Sequence, residues 1–265
     1  CKERWLRDNK LGQPPGVTLV GTGVRGEIIV PEPRYRKAIE DILFRASESR
    51  TLEMQWKELH AVPSAVWEIK ELRELRLQNN LLTASAFAVH GGTRSDAPGL
   101  HTFSNLVLLS LSNNQLHEFP AILLKCTSIE NLDLSNNFIP SLPKKVHRMY
   151  RLRSLNLSQN RLTHLPEKFG GLVELTYLNL DINHIGPTLP ASFCALHKLE
   201  RLKLVKNRLQ SLPVAGMAQL TSLTLLNLNS NRVGPSLPDD MSFMPALCEL
   251  FLSHNRIKTL SPEFC

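Results

Sequence analysis

One spacing rule, Leu-x-Leu-x-x-Asn-x-Leu, with Ile or Val replacing the last Leu in four units, recurs eight times along this chain and leaves little freedom in how it folds. The anchor leucines are Leu75, Leu109, Leu132, Leu155, Leu178, Leu202, Leu226 and Leu250, so the steps are 34, 23, 23, 23, 24, 24 and 24 residues. Self-similarity at a period of this size is the mark of a solenoid. Alternation at pairs such as Leu155 and Leu157 is the period of a short strand with inward side chains. A single such strand buries almost nothing, so the units fold only by stacking, as a parallel ribbon with a continuous apolar interior.

Five residues after each anchor stands an asparagine: Asn80, Asn114, Asn137, Asn160, Asn183, Asn207, Asn231 and Asn255. A buried turn leaves backbone donors and acceptors in need of partners, and an asparagine amide supplies both kinds. The eight amides are therefore expected to form a structural ladder. Leu-Pro steps at Leu142-Pro143, Leu165-Pro166, Leu189-Pro190, Leu212-Pro213 and Leu237-Pro238 mark the return path, where proline's missing N–H is tolerated. Short helical or irregular segments are expected there. Such segments are slimmer than a full helix, and a gentle arc with the ribbon on its concave face follows.

Segments such as LRELRLQNNLL (72–82) and LRSLNLSQNRLTHLPEKF (152–169) resemble the leucine-rich repeat family over roughly four-fifths of the chain. LPEKF (165–169) and LPASF (189–193) look like its intracellular 23-residue Leu-Pro-x-x-Phe type, related to Ras-binding scaffolds and plant Ras-group repeat proteins. The resemblance implies an α/β solenoid of about nine units. It also implies intracellular signalling partners, small GTPases and phosphatases among them.

The ends depart from the rule. A degenerate first unit keeps Leu52, Met54 and Leu59 but has Lys57 where the asparagine belongs, as terminal repeats often do. The last unit stops at Phe264-Cys265 without a cap, and there is no initial methionine. An uncapped strand exposes an edge. The domain is thus expected at 49–265, truncated at its C-terminus and continued or covered by something else.

Residues 1–48 read as an N-terminal arm: a β-hairpin around VTLVGTGVRGEIIV (17–30), then an amphipathic capping helix presenting Tyr35, Ala38, Ile39, Ile42 and Leu43. Gly21, Gly23 and Gly26 have a G-x-G-x-x-G spacing. A phosphate-cradling loop requires a helix at the third glycine, and β-rich Glu27-Ile28-Ile29-Val30 follows instead. The long step holds a loop insertion at 83–100, rich in glycine.

With 42% hydrophobic and 21% charged residues, the composition is that of a soluble protein, and no apolar run approaches the roughly 18 residues of a membrane span. Five scattered cysteines form none of the paired clusters that cap secreted repeat proteins, which favours a reducing, intracellular location, cytoplasmic or cytoskeleton-associated. Nine dispersed histidines give no metal spacing and there is no nucleophile turn, so no enzyme, cofactor, metal or small-molecule substrate is expected.

Function then falls to the variable strand positions. The candidate partner-binding residues on the concave face are Arg76, Asp133, Arg153, Tyr177, Asp181, Ile182, Arg201, Lys203, Val205, Leu225 and Phe251. Aromatic and arginine anchors among mixed charges are the usual material of binding hot spots. Within a net charge of +7, Lys144, Lys145, Arg148 and Arg151 form a basic patch on the return side. Only Tyr150 offers an aromatic face there, which argues against nucleic acid. The expected role is a non-catalytic scaffold for a protein partner. The alternatives are a structural subunit of a large assembly, such as a ciliary axoneme or ribonucleoprotein, and the sensor arm of a longer signalling enzyme.

Overall fold

A computed structural model describes residues 42, 44–87, 99–213 and 216–260. The predicted hairpin, most of the capping helix and the tip of the insertion lie outside these residues. Of the helix, Ile42 and residues 44–49 are described, with Ile42 half-buried and Ala46 buried.

The chain forms two compact units, Cys1–Ile129 and Glu130–Cys265. In the first, strands β1 (Thr51–Glu53), β2 (Glu74–Arg76) and β3 (Leu108–Ser110) pair in parallel and in chain order. In the second, β4 (Asn131–Asp133), β5 (Ser154–Asn156), β6 (Tyr177–Asn179), β7 (Arg201–Lys203), β8 (Leu225–Asn227) and β9 (Glu249–Phe251) do the same. The register follows the leucines: Leu52↔Leu75↔Leu109 in one unit and Leu132↔Leu155↔Leu178↔Leu202↔Leu226↔Leu250 in the other. A slip by one residue would turn each anchor outward, so the buried face enforces this pairing. The degenerate first unit obeys it too, with Leu52 buried against Leu75.

Parallel neighbours need a crossover, and here it is a short 3-10 turn in place of a full helix, as at Val146–Arg148, Phe169–Gly171, Ala191–Ala195, Met217–Gln219 and Asp239–Phe243. Pro190 and Pro238 stand immediately before two of them, where a missing N–H costs nothing. Each turn sends an apolar side chain into the core: Val146, Phe169, Phe193, Met217 and Met241 are all buried, and Cys194 is buried beside Phe193. The Leu-Pro-x-x-Phe pattern thus marks a slot that other apolar residues also fill.

The ladder asparagines hold the opposite edge. Asn160 Nδ2 donates to the carbonyls of Leu134 (2.9 Å) and Leu157 (3.1 Å), and its Oδ1 accepts the Ile139 N–H (3.0 Å). Asn183, Asn207 and Asn231 repeat the scheme. Asn255 donates to Leu228 and Leu252 and accepts from Val233. In the first unit Asn114 serves Leu77, Leu111 and Leu82, and Asn80 accepts from Lys57 and Leu59. Asn137 donates to Leu134 and is buried like the others.

Candidate protein-binding face

With the anchors turned inward, the residues on either side of each anchor face solvent. In the second unit they form two rows along the ribbon. The first is Asn131, Ser154, Tyr177, Arg201, Leu225 and Glu249; the second is Asp133, Asn156, Asn179, Lys203, Asn227 and Phe251.

The second row has a structural rule of its own. Asp133 and Asn156 accept hydrogen bonds from the backbone N–H two residues on, that of Ser135 and Ser158, and also from those hydroxyls. Asn179 and Asn227 likewise accept from Asp181 and Asn229. These are local Asx turns that fix the strand exit. Lys203 and Phe251 cannot make them. In both cases the preceding repeat supplies the acceptor: Asp181 Oδ1 takes the Val205 N–H at 2.6 Å, and Asn229 Oδ1 takes the Ser253 N–H at 2.7 Å. This arrangement frees Lys203 and Phe251 to face outward and commits Asp181 to the scaffold.

Burial pushes the Asp181 carboxyl above its ordinary range, against the Val205 N–H and the Lys203 charge, which draw it down. Its folded form therefore holds a proton more readily than its unfolded form, so this group's contribution to stability falls as pH rises above the ordinary carboxylate range. Asp181→Asn keeps the acceptor and should remove that pH dependence at little or no cost. Asp181→Ala leaves the Val205 N–H without its acceptor and should cost about 1 kcal/mol. Urea titrations from pH 4 to 7 on both variants check the pair.

The residue before each ladder asparagine is left-handed in every repeat: Asn79, Asn113, Asn136, Gln159, Ile182, Lys206, Ser230 and His254 have φ between 51° and 61°. Asparagine and histidine tolerate this region, whereas for a β-branched side chain it is a steric outlier. Ile182 nevertheless adopts it, with φ 56° and 46% of its surface exposed. Relieving the strain by Ile182→Asn should stabilise the fold by about 1 kcal/mol, read as a higher denaturation midpoint.

The predicted site residues divide by position. Tyr177, Arg201 and Leu225 are successive partners in one row, Lys203 stands in the second row, and Asp181, Ile182 and Val205 follow at the strand exits, the Ile182 N–H donating to the Val205 carbonyl at 2.7 Å. Asp133 lies on β4 and exposed Arg153 pairs with Glu130 at 3.6 Å. Phe251, 40% exposed, is three strands beyond Tyr177, about 14 Å at the usual strand spacing, so it does not join the same cluster. Arg201 also separates Tyr177 from Leu225. Arg76, in the first unit, is engaged by Glu74 (2.9 Å) and Glu53 (3.7 Å). Lys144, Lys145, Arg148 and Arg151 are exposed on the return path around Val146–Arg148.

Among the described residues, no group of three His, Cys, Asp or Glu side chains converges to hold a metal, and no helix is long and apolar enough to cross a membrane.

Comparison with known proteins agrees with this architecture. A family model described as leucine rich repeat matches residues 127–185. No curated protein gives a significant sequence match. Among solved structures, a leucine-rich repeat protein of Leptospira interrogans is 25% identical with a TM-score of 0.66, over 85% of this chain and 60% of that one. An internalin of Listeria monocytogenes is 24% identical (TM-score 0.64; 79% of this chain, 56% of that one). The PEPR1-AtPEP1 structure is also 24% identical (TM-score 0.65; 81% and 33%). The chain therefore spans three-fifths or less of the length of these proteins. Repeat register, asparagine ladder and structural likeness converge on a leucine-rich repeat fold, and residues 127–185 match the model of that family.

Proposed function

We propose that the chain is a non-catalytic protein-interaction module that docks a folded protein on the solvent face of β6–β8, centred on Tyr177, Ile182, Arg201, Lys203, Val205 and Leu225. The observation that carries this reading is Ile182. A large apolar side chain is held outward at a backbone position that disfavours it, next to Val205 of the following repeat and at the exit of the strands that carry exposed Arg201 and half-buried Tyr177. Strain kept at an exposed apolar residue is a signature of a functional surface. The mechanism is preorganisation: side chains carried on paired strands lose little freedom on docking.

The free thiols of Cys126, Cys194 and Cys248 support a reducing, intracellular setting. Burial raises the Cys126 thiol to about 12, which suits an inert core residue.

The test is capture of partners from cells with the tagged chain and with a Tyr177→Ala, Arg201→Glu, Leu225→Ala variant of unchanged circular dichroism. Loss of a discrete partner from the variant supports docking on this face. An unchanged set of assembly subunits overturns it in favour of a structural subunit.

A further inference from the structure

The position immediately after the ladder asparagine is basic in five consecutive repeats: Arg161, His184, Arg208, Arg232 and Arg256. All five are exposed. Their backbones are stacked in order, the N–H groups donating to the carbonyls of Ile139, Leu162, Ile185, Leu209 and Val233 at 2.8–3.0 Å. At about 4.8 Å per step, the five rungs span about 19 Å along one edge of the second unit.

Charge is sorted across this unit. The stretches 136–141, 159–164, 182–187, 206–211, 230–235 and 254–259 contain no Asp or Glu, while Lys206, His254, Lys258 and His164 add to the five rungs. The carboxylates lie elsewhere, as at Glu130, Asp133, Asp181, Glu200 and Glu249 around the strands. Among the described residues, none of the five rung side chains forms an ion pair, and Arg161 lies 4.7 Å over the Phe138 ring. The four arginine rungs, Arg161, Arg208, Arg232 and Arg256, are like charges without counter-charge, and an acidic ligand relieves their mutual repulsion.

We propose that this edge is a second interaction surface, distinct from the strand face, and that it binds an acidic polypeptide segment laid along the stack. Guanidinium forks match carboxylates two bonds at a time, which suits a run of Glu and Asp side chains better than a diffuse cationic surface would. Single-stranded nucleic acid requires aromatic platforms for its bases. Phe138, with Arg161 over it, is the sole aromatic in these stretches.

The experiment is fluorescence anisotropy of the full chain with a labelled glutamate-rich peptide, its glutamine counterpart and a single-stranded DNA oligonucleotide. The expected result is salt-sensitive binding of the glutamate peptide only, weakened about tenfold or more by Arg208→Glu with Arg232→Glu. Lys144→Glu with Lys145→Glu, on the return side, should leave it within about twofold. No peptide binding, equal loss from the return-side variant, or tighter binding of the oligonucleotide would each overturn the assignment. Circular dichroism and the denaturation midpoint confirm that the charge-reversed chains remain folded.

Discussion

Asn160→Leu is expected to destabilise the second unit by about 3 kcal/mol, because the buried Ile139 N–H loses its acceptor at about 1–3 kcal/mol while the Leu134 and Leu157 carbonyls each lose one of two asparagine donors and keep the other, from Asn137 and Asn183. Leucine keeps the γ-branched shape while removing the amide, so the change deletes the polar function at the cost of some added bulk. The Ile139 N–H loses its acceptor, and the Leu134 and Leu157 carbonyls lose a donor, in a position only 6% exposed. Water cannot replace the amide there without opening the stack. Stability in a stacked-repeat protein is a sum of units and nearest-neighbour terms, so the damage should be local first. Hydrogen exchange should show the Ile139 amide losing protection before amides around Asn231 do. A loss below about 1 kcal/mol would mean that the ladder is dispensable.

Phe169→Ala is expected to cost about 3–5 kcal/mol, the range for removing a fully buried phenylalanine. Phe169 is fully buried and stacks on Phe193 with centroids 6.1 Å apart and planes within 6°. The neighbouring turns approach closely because Gly170 has no side chain: a Cβ there would collide with the Ser192 carbonyl. Collapse around the cavity is therefore restricted, which places the expected loss toward the upper end. Phe243 is a useful contrast. It lies in the last 3-10 turn but is 70% exposed, while Met241 fills the core slot, so Phe243→Ala should change stability by no more than about 0.5 kcal/mol. Urea denaturation of both variants separates the two cases.

The anchor leucines made the fold legible because one repeat distance fixes register, inward face and chain order at once. Leu132, Leu155 and Leu178 pair in the order their spacing requires. What the sequence concealed depends on contacts between repeats. Asp181 reads as a surface acid, and its bond to the Val205 N–H appears only when the two repeats are stacked. Ile182 reads as an ordinary apolar residue, because the left-handed backbone at its position is imposed by the repeat and carried in other units by residues as different as Asn136 and Lys206. The apolar residues grouped by their order in the chain are divided by strand geometry, with Arg201 between Tyr177 and Leu225. The basic edge was in principle readable, since Arg208, Arg232 and Arg256 each follow a ladder asparagine. The run at 144–153 is contiguous in the chain, whereas the charge pattern of the edge is contiguous only through the stack.

The central claim is that the face around Ile182 is kept for binding at a cost to stability, and Ile182→Asn tests both halves in one chain. The measurement pairs its denaturation midpoint with the yield of captured partner relative to the unsubstituted protein. A higher midpoint together with a severalfold lower yield is the expected result. A variant that gains stability and retains its full partner yield would contradict it, leaving Ile182 as strain without a binding role.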